Sequence, residues 1–170
     1  VGVSGFFLDK PHTGSGQYLA GLTHHLRAGG RHDYQVLEPQ GWRRFPENVA
    51  KLLFEQVTVP VRCRRERLDL LHVPYDGPPF VQPCPTVVTV HDLIMLAMPE
   101  HQVSPLVRWY NALVAKAAKR ADMIIADSLA TKRDIIRFLN IDEERIRVVY
   151  LACSETMRPV NDVERLRAVR

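Results

Sequence analysis

The chain has 170 residues, of which 46% are hydrophobic and 25% are charged, and its net charge is +4. This length suits one globular domain, and the composition is typical of a soluble domain rather than a disordered or fibrous chain. No apolar run approaches the roughly 18 residues of a membrane span, and no secretory signal is visible. The cysteines, Cys63, Cys84 and Cys153, are widely spaced, which excludes a CxxC motif and favours a reducing compartment.

Short apolar runs alternate with longer segments of helical periodicity along the chain. The predicted strands are Val1–Leu8, Tyr34–Leu37, Leu68–Val73, Thr86–Val90, Met123–Ala126 and Ile146–Tyr150. The predicted helices are Ser15–Ala28, Pro46–Val57, Pro105–Ala121 and Ser128–Leu139. Such alternation predicts a parallel sheet with right-handed crossovers and helices on both faces. The expected fold is α/β, a doubly wound parallel sheet of the Rossmann-like kind.

Two of the predicted helices carry apolar residues that we expect to be buried against the sheet. In the second helix they are Val49, Leu52, Leu53 and Phe54. In the third they are Leu106, Trp109, Leu113 and Ala117.

A pair of glycines precedes the first predicted helix. In an open parallel sheet, ligands bind beyond the carboxyl ends of the strands, so Gly14 and Gly16 are candidates for a close approach of backbone to ligand. Gly16→Val is then expected to cut activity strongly and to perturb the fold less, because the position is predicted at a surface crevice. A dinucleotide-binding fingerprint matches this region less well. Glu38 stands about where the fingerprint has its ribose-binding acid. However, Leu19 stands in place of the third glycine, and residues 9–13 separate the strand from the glycines. A tight turn without a ligand is the alternative.

His91 and Asp92 end the fourth predicted strand. Neighbouring strand residues face opposite sides, so we expect one of them to face the crevice and the other to cap the following loop. An imidazole can hydrogen-bond a hydroxyl and changes its protonation near neutral pH, which makes His91 the candidate catalytic residue. A histidine satisfied by backbone groups inside the fold is the alternative.

Polar residues also follow the third and fifth predicted strands. Tyr75 follows the third and is a candidate for substrate binding. Asp127 and Ser128 precede the last predicted helix, where either is a good N-cap, and a structural role is favoured over a functional one. Lys132 and Arg133, one turn further on, are expected to face solvent.

The densest positive charge is the arginine cluster formed by Arg62, Arg64, Arg65 and Arg67. Such a patch can meet anionic lipid headgroups. A solvated loop or helix end is the alternative. Because no aromatic residues are interleaved with these arginines, a nucleic-acid partner is not expected.

Four segments of the chain carry a family resemblance. They are TGSGQYLAGLTHHL, FEQVTVPVRCRRERLDLLHVPYDGPP, PTVVTVHDLIMLAMPE and ADMIIADSLATKRDIIRFLNIDEERIRVVYLACSETMRP. Together they resemble the N-terminal domain of the retaining GT-B glycosyltransferases of family 4, the "group 1" transferases, over almost the entire chain. The third segment, with its His-Asp strand end, is the most specific. Where Ala152, Cys153 and Ser154 stand, the family often has Gly-Val-Asp.

The resemblance implies a two-domain enzyme that transfers a sugar from a nucleotide-sugar to a glycan or lipid-linked acceptor, with retention and without a metal or other cofactor. Residues 1–160 would then be the acceptor-side Rossmann-like domain, and residues 161–170, with a helix predicted at Val163–Val169, the start of an interdomain linker. The implied partner is a C-terminal nucleotide-sugar-binding domain, so the 170-residue chain alone is expected to be inactive. The expected location is the cytoplasm, and the arginine cluster is the surface expected to meet the inner face of a membrane.

Carried over residue by residue, the resemblance places His91 close to the reacting sugar and Gly14 and Gly16 near the donor phosphates or the acceptor. Asp92 and, more weakly, Ser128 are the further substrate-binding candidates beside Tyr75. The alternative function is a stand-alone Rossmann-like module that binds a nucleotide or dinucleotide.

Overall fold

Six parallel strands form one sheet in the computed structural model, which describes residues 1–41, 44–98, 104–153 and 157. The strands are β1 (Gly2–Ser4), β2 (Gln35–Leu37), β3 (Leu71–Val73), β4 (Thr86–Val90), β5 (Met123–Ala126) and β6 (Ile146–Val148). Their order across the sheet is β2-β1-β3-β4-β5-β6. The strand order reverses between β1 and β3, which pair in parallel register with Gly2 opposite Leu71. This reversal is the switch point at which doubly wound sheets bind their ligands.

Helical segments connect the strands. They are α1 (Gly14–Ala28), α2 (Glu47–Leu53), a π-helical turn (Phe54–Thr58), α3 (Val59–Arg65), α4 (Ile94–Ala97), α5 (Pro105–Ala118), α6 (Leu129–Asp134), a second π-helical turn (Ile135–Leu139) and a 3₁₀ turn (Glu143–Arg145). The sheet is buried on both faces, since all three residues of β1 and of β3 are buried. The α/β, doubly wound, Rossmann-like fold predicted from the sequence is confirmed.

Four strands are shorter than predicted. β2 begins at Gln35 rather than Tyr34, and β3 begins at Leu71 rather than Leu68. The other two, β1 and β6, end early. β1 ends at Ser4 because the chain then folds into successive turns, in which Leu8 N–H donates to the Gly5 carbonyl and Lys10 N–H to the Phe7 carbonyl. β6 ends at Val148 rather than Tyr150. Strand was predicted after Ser4 and after Val148 because the residues there are apolar. Hydrophobicity does not distinguish an extended residue from a buried turn residue.

The second helical segment is longer than predicted and runs to Arg65. Pro60 lacks a backbone N–H and cannot continue an ordinary helical ladder. The π-helical turn before it adapts the backbone, as such bulges commonly do at a helix irregularity. Phe54 is fully buried as expected, whereas Val49 is 37% exposed and was wrongly predicted to be buried.

The predicted burial of the α5 stripe is wrong for its first half. Leu106 and Trp109 are 60% and 54% exposed, while Ala117 and Ala118 are buried in the core. The helix is capped at Ser104, whose Oγ accepts from Val107 N–H, and it packs into the core through its last turn. Periodicity identified the helix correctly but could not show how much of its apolar face is covered.

Two of the cysteines that are distant in sequence lie side by side. The thiols of Cys63 on α3 and Cys84 before β4 are close enough to influence each other's pKa, and both are free. Burial, followed by the neighbouring Cys84, raises the pKa of the Cys63 thiol to about 12. Such a thiol is a weak nucleophile near neutral pH.

The arginine cluster lies at the end of α3 and just beyond it. Arg64, Arg65 and Arg67 are exposed, whereas Arg62 donates to Glu66 at 2.7 Å. The cluster is therefore a solvated helix end, and its contact with a membrane stays a prediction. No helix in the described part of the chain is long and apolar enough to cross a bilayer. The helix predicted at 163–169 lies outside the described residues.

Candidate active site

The candidate active site lies at the carboxyl edge of the sheet, next to the switch point between β1 and β3. Parallel strands all end at this edge, so the residues that follow β1, β3, β4 and β5 converge there. Two regions form the edge. We refer to residues 7–16, which lead into α1, as the glycine turn, and to His91, Asp127, Thr131 and Asp76 as the histidine corner.

The glycine turn is held by its own backbone. The Thr13 side chain caps α1 and accepts from Gly16 N–H at 3.0 Å. Gly16 is buried, and a Cβ there would collide with the Lys10 carbonyl oxygen and lie 2.9 Å from the Phe7 carbonyl oxygen. The close approach that requires glycine is thus to this chain's own backbone, and the predicted surface crevice at this position is wrong, because Gly16 is buried. Gly14 is exposed with open space around it, and its substrate-binding role stays a prediction.

His91 is held between two acceptors. Its Nδ1 lies 3.4 Å from Asp127 Oδ2 and its Nε2 lies 3.4 Å from the Pro74 carbonyl oxygen. The ring packs edge-on against Tyr18, with centroids 4.9 Å apart, and its side chain is 21% exposed. Both nitrogen contacts are long, and long contacts of this kind can tighten or be exchanged when a substrate oxygen arrives.

Asp127, Ser128 and Thr131 fix the other side of the corner. Ser128 is the N-cap of α6, where its Oγ accepts from Thr131 N–H at 3.0 Å, as the capping prediction stated. The Thr131 hydroxyl lies 3.0 Å from the His91 carbonyl oxygen and 3.1 Å from Asp127 Oδ1, so it donates to one of the two at a time. These contacts orient the Asp127 carboxylate toward His91. A substrate-binding role for Ser128 stays a prediction.

The residue after Thr131 is placed differently from the prediction. Lys132 was expected to face solvent, but its side chain is largely covered and pairs with Glu143 at 2.8 Å. Arg133 is exposed, as predicted. Lys132 therefore ties α6 to the 3₁₀ turn that precedes β6.

Asp76 is an acidic member of the histidine corner. It lies in the stretch 74–77 after the third strand, where ligand-binding residues were expected but only Tyr75 was a named candidate. Its Oδ1 accepts from the His91 backbone N–H at 3.3 Å. Burial raises the pKa of Asp76 to about 7 and the Asp92 charge adds to this, while His91 and Lys51 oppose it. Titratable groups perturbed in this way cluster at functional sites. Its position one residue after Tyr75, at the end of β3, was the available signal.

His91 and Asp92 face opposite sides, as strand geometry predicted. Asp92 Oδ1 accepts from Ile94 N–H at 3.0 Å and so caps the loop that follows β4. Val88, Val90 and Asp92 line a cavity on the α5 side of the sheet, whereas His91 contacts Tyr18 of α1. His91 is thus the member of the pair that joins the corner.

Tyr75 lies in the core rather than at the crevice. It is 3% exposed, and its hydroxyl is 2.7 Å from Ser4 Oγ across the β1–β3 junction. The ring packs edge-on against Phe7. These contacts favour a structural role at the switch point, and substrate binding by Tyr75 stays a prediction.

A buried polar chain supports the histidine corner from below. His72 Nε2 is 3.0 Å from Thr89 Oγ1, which is 3.4 Å from the Tyr18 hydroxyl. Burial lowers the pKa of His72 to about 4, so this histidine is neutral at physiological pH. These hydrogen bonds connect the centre of the sheet to the Tyr18 ring, which packs on His91. The spacing of these residues in the sequence does not predict them.

The fold and the carboxyl edge of the sheet define the class of protein. It is a doubly wound α/β domain with an acid and a histidine beside the switch point. The sequence profile of Glycosyltransferase Family 4 matches residues 12–154. The match covers most of the chain, which therefore belongs to this family.

One curated relative is O-antigen chain mannosyltransferase B of Escherichia coli, which is 30% identical to this chain over 93 residues. The aligned segment covers 53% of this chain and 24% of the relative, so the chain spans a minor part of that relative's length. The similarity supports the family assignment and leaves the activity of the whole protein to be proposed.

Proposed function

We propose that this chain is the acceptor-side domain of a retaining glycosyltransferase that uses a nucleotide-sugar donor. The observation that supports this most is the histidine corner, because it sets an imidazole between two acceptors at the ligand-binding edge of a family 4 domain. A C-terminal domain facing this edge is the proposed holder of the nucleotide-sugar.

His91 is proposed to hydrogen-bond a sugar hydroxyl close to the bond that breaks. The ring reaches that role by exchanging one of its two 3.4 Å contacts for a substrate oxygen, while the other keeps it oriented. A group that contacts the substrate mainly as charge develops accelerates the chemical step rather than binding. Asp127 is proposed to position the ring through Nδ1.

The amino end of α1 is the proposed binding site for oxygen-rich groups. This helix has 15 residues, and free N–H groups in its first turn together with the helix dipole favour phosphate or hydroxyl oxygens. Open space around Gly14 supports access to those groups. The proposal needs no resident metal or other cofactor.

Substrate identity is proposed from the relative's name alone. A mannosyl donor and a glycan acceptor are the first pair to test, because the relative is described as an O-antigen chain mannosyltransferase. A cytoplasmic location is proposed, with the exposed Arg64, Arg65 and Arg67 as the surface for any contact with anionic headgroups.

A second candidate function is a stand-alone nucleotide-binding module, and one observation favours it. A cavity of about 340 Å³ is lined by Gly5, Asp9 and Glu38, where β1 and β2 end. An acid at the end of the second strand is where dinucleotide folds bind a ribose. The turns at residues 7–13 tell against it, since they separate β1 from the glycines.

Activity and binding together test these proposals. The complete polypeptide that carries this chain is incubated with GDP- and UDP-sugars and glycan acceptors, and product is measured by mass spectrometry. We expect transfer with at least one donor, and none from the 170-residue chain alone. Turnover by the 170-residue chain would contradict the two-domain proposal. Thermal stabilisation by NAD or NADP without any transfer would favour the second candidate.

A further inference from the structure

Tyr18 is the residue of α1 that reaches the histidine corner. Thr89 and His91 lie two positions apart along β4 and just beyond it, so their side chains face the same side of the sheet. From α1, the Tyr18 hydroxyl lies 3.4 Å from Thr89 Oγ1, and the Tyr18 ring packs edge-on against the His91 ring, with centroids 4.9 Å apart. Aromatic rings prefer such edge-on arrangements at centroid separations of about 4.5–7 Å. One side chain of α1 thus contacts both residues.

The Tyr18 ring is fixed from two ends. Its hydroxyl is tethered to Thr89, which is fully buried and shares a second hydrogen bond, of 3.0 Å, with His72. At its backbone end, Tyr18 lies two residues after Gly16, whose packing inside the glycine turn sets the path of the first turn of α1. A residue of the sheet and a packed turn therefore determine together where this ring lies.

The nitrogen contacts of His91 hold its ring only loosely. The contacts with Asp127 Oδ2 and with the Pro74 carbonyl oxygen are both 3.4 Å, longer than the roughly 2.7–3.2 Å of an ordinary N–H···O bond. A substrate oxygen that replaces one of them leaves a single long hydrogen bond to orient the ring. The Tyr18 hydroxyl is engaged with Thr89, so Tyr18 contacts the imidazole by ring packing and leaves both nitrogens to other partners.

We propose that Tyr18 is a positioning residue, whose ring holds the His91 imidazole in the orientation in which a nitrogen meets a sugar hydroxyl. The effect of Tyr18 on transfer rests on the proposed function, whereas its effect on the orientation of the His91 ring does not. A displacement of about 1 Å in an active site can cost on the order of 10²-fold in rate. The glycine turn also serves the corner in this way, because it sets the position of Tyr18.

The kinetic test is Tyr18→Leu in the complete enzyme, which removes the ring and keeps an apolar side chain. We expect kcat to fall about tenfold and KM to change less than about twofold, because His91 acts mainly as the bond breaks. Tyr18→Phe retains the ring and should recover kcat to within about threefold of the parent, since only a long hydroxyl contact is lost. Equal kcat in the Tyr18→Leu and parent enzymes would overturn the proposal. If Tyr18→Leu does not fold, Tyr18→Met, with its adaptable unbranched side chain, takes its place throughout.

A double-mutant cycle separates positioning from general structural damage. If Tyr18 acts through His91, its ring has nothing to position in a His91→Ala enzyme. Tyr18→Leu should therefore lower kcat about tenfold in the parent and less than about twofold in the His91→Ala background. Equal losses in the two backgrounds would show that Tyr18 supports the fold in general and would overturn the proposal.

Tyr34→Leu is the matched control for the loss of an aromatic ring. Tyr34 is also partly buried and packs edge-on against a histidine, His32, with ring centroids 6.0 Å apart. It directly precedes β2 and so lies at the amino edge of the parallel sheet, opposite the histidine corner. Its replacement should leave kcat unchanged. A loss of kcat as large as that of Tyr18→Leu would overturn the proposal.

NMR measures the orientation of the His91 ring directly, on enzyme with isotopically labelled histidine. The His91 signals are identified as those absent from His91→Ala. A packed aromatic ring displaces the proton signals of its neighbour, so Tyr18→Leu should move the His91 ring signals toward those of free histidine. Tyr18→Phe should leave them near their parent positions. His91 ring signals that are identical in Tyr18→Leu and the parent would overturn the proposal.

The two measurements separate this proposal from the proposed function. If the complete polypeptide shows no transfer, or if His91→Ala keeps the parent kcat, the proposed function fails and the His91 ring signals alone decide the positioning by Tyr18. If His91→Ala loses kcat but the ring signals do not respond to Tyr18→Leu, the positioning by Tyr18 is overturned and the proposed function is kept.

Discussion

The glycine turn and the histidine corner lie at the same edge of the sheet but are built in opposite ways. In the glycine turn the closest approach is backbone to backbone, with buried Gly16 packed against the Lys10 and Phe7 carbonyls. In the histidine corner the contacts of His91 are side-chain contacts of 3.4 Å to Asp127 and to a carbonyl. The first region has no room for a ligand at Gly16, whereas the second has contacts that a ligand can replace.

This difference distinguishes Gly16 from His91, which the sequence alone did not distinguish. Both Gly16 and His91 follow strands at the ligand-binding edge, and both were candidates for the site. The structure gives Gly16 a packing reason to be glycine and leaves His91 partly exposed with weakly held nitrogens. We therefore expect replacement of Gly16 to affect stability first and replacement of His91 to affect activity first.

The largest expected effect is that of Gly16→Val. The new side chain collides with backbone atoms that cannot rotate away, so the turn or the start of α1 must move. We expect the free energy of unfolding to fall by roughly 3 kcal/mol, the upper end for overpacking. Urea denaturation of both proteins measures it.

Gly14→Ala is the matched control, because its added Cβ meets nothing within 4 Å. Its stability should stay within about 0.5 kcal/mol of the parent, as for an ordinary surface substitution. A stable Gly16→Val protein would remove the packing explanation and restore the ligand-approach interpretation.

The next effect concerns Asp76 and depends on pH. The folded protein keeps this proton up to about pH 7, whereas an unfolded aspartate releases it near pH 4. The folded state thus binds more protons in this window, and stability falls as pH rises through it. Asp76→Asn lacks this proton, so its stability relative to the parent should rise from about pH 4 to pH 7 and then level off.

The control for this measurement is Asp69→Asn, on an exposed side chain before β3. Denaturant melts at several pH values compare the three proteins. A parent and an Asp76→Asn protein with parallel pH profiles would show that Asp76 does not hold its proton in the corner.

The smallest effect is expected for Asp127→Ala. Its carboxylate contacts His91 and Thr131 and lies at the amino end of α6, where the helix dipole favours an anion. We expect a loss of about 1 kcal/mol in unfolding free energy. Asp142→Ala, exposed and without a side-chain cap bond, should change stability by less than about 0.5 kcal/mol. Equal losses in the two variants would remove Asp127 from the corner.

The sheet could be predicted from the sequence because its strands are short apolar runs buried on both faces. VVTV and MIIA identify β4 and β5, and the alternation with helices predicts parallel pairing. The capping role of Ser128 was also readable, because hydroxyl side chains before a helix have one dominant local use.

Tertiary contacts could not be predicted in the same way. Asp76 and His91 are 15 residues apart in the sequence, and the neighbouring thiols of Cys63 and Cys84 belong to different elements. No local sequence pattern predicts either contact. The exposure of Trp109 and the burial of Gly16 likewise depend on where neighbouring segments end. Periodicity describes one element at a time, whereas these features belong to pairs of elements.

The most direct test of the central claim is His91→Ala in the complete enzyme, with kcat and melting temperature measured on the same preparation. A positioned hydrogen-bonding group typically contributes about 10²-fold or more to rate, so kcat should fall by about 10²-fold while KM changes little. The melting temperature should fall by only a few degrees, roughly 2–4 °C for each kcal/mol lost. Near-normal kcat with a large drop in melting temperature would contradict the account, because His91 would then be a structural histidine satisfied by Asp127 and Pro74.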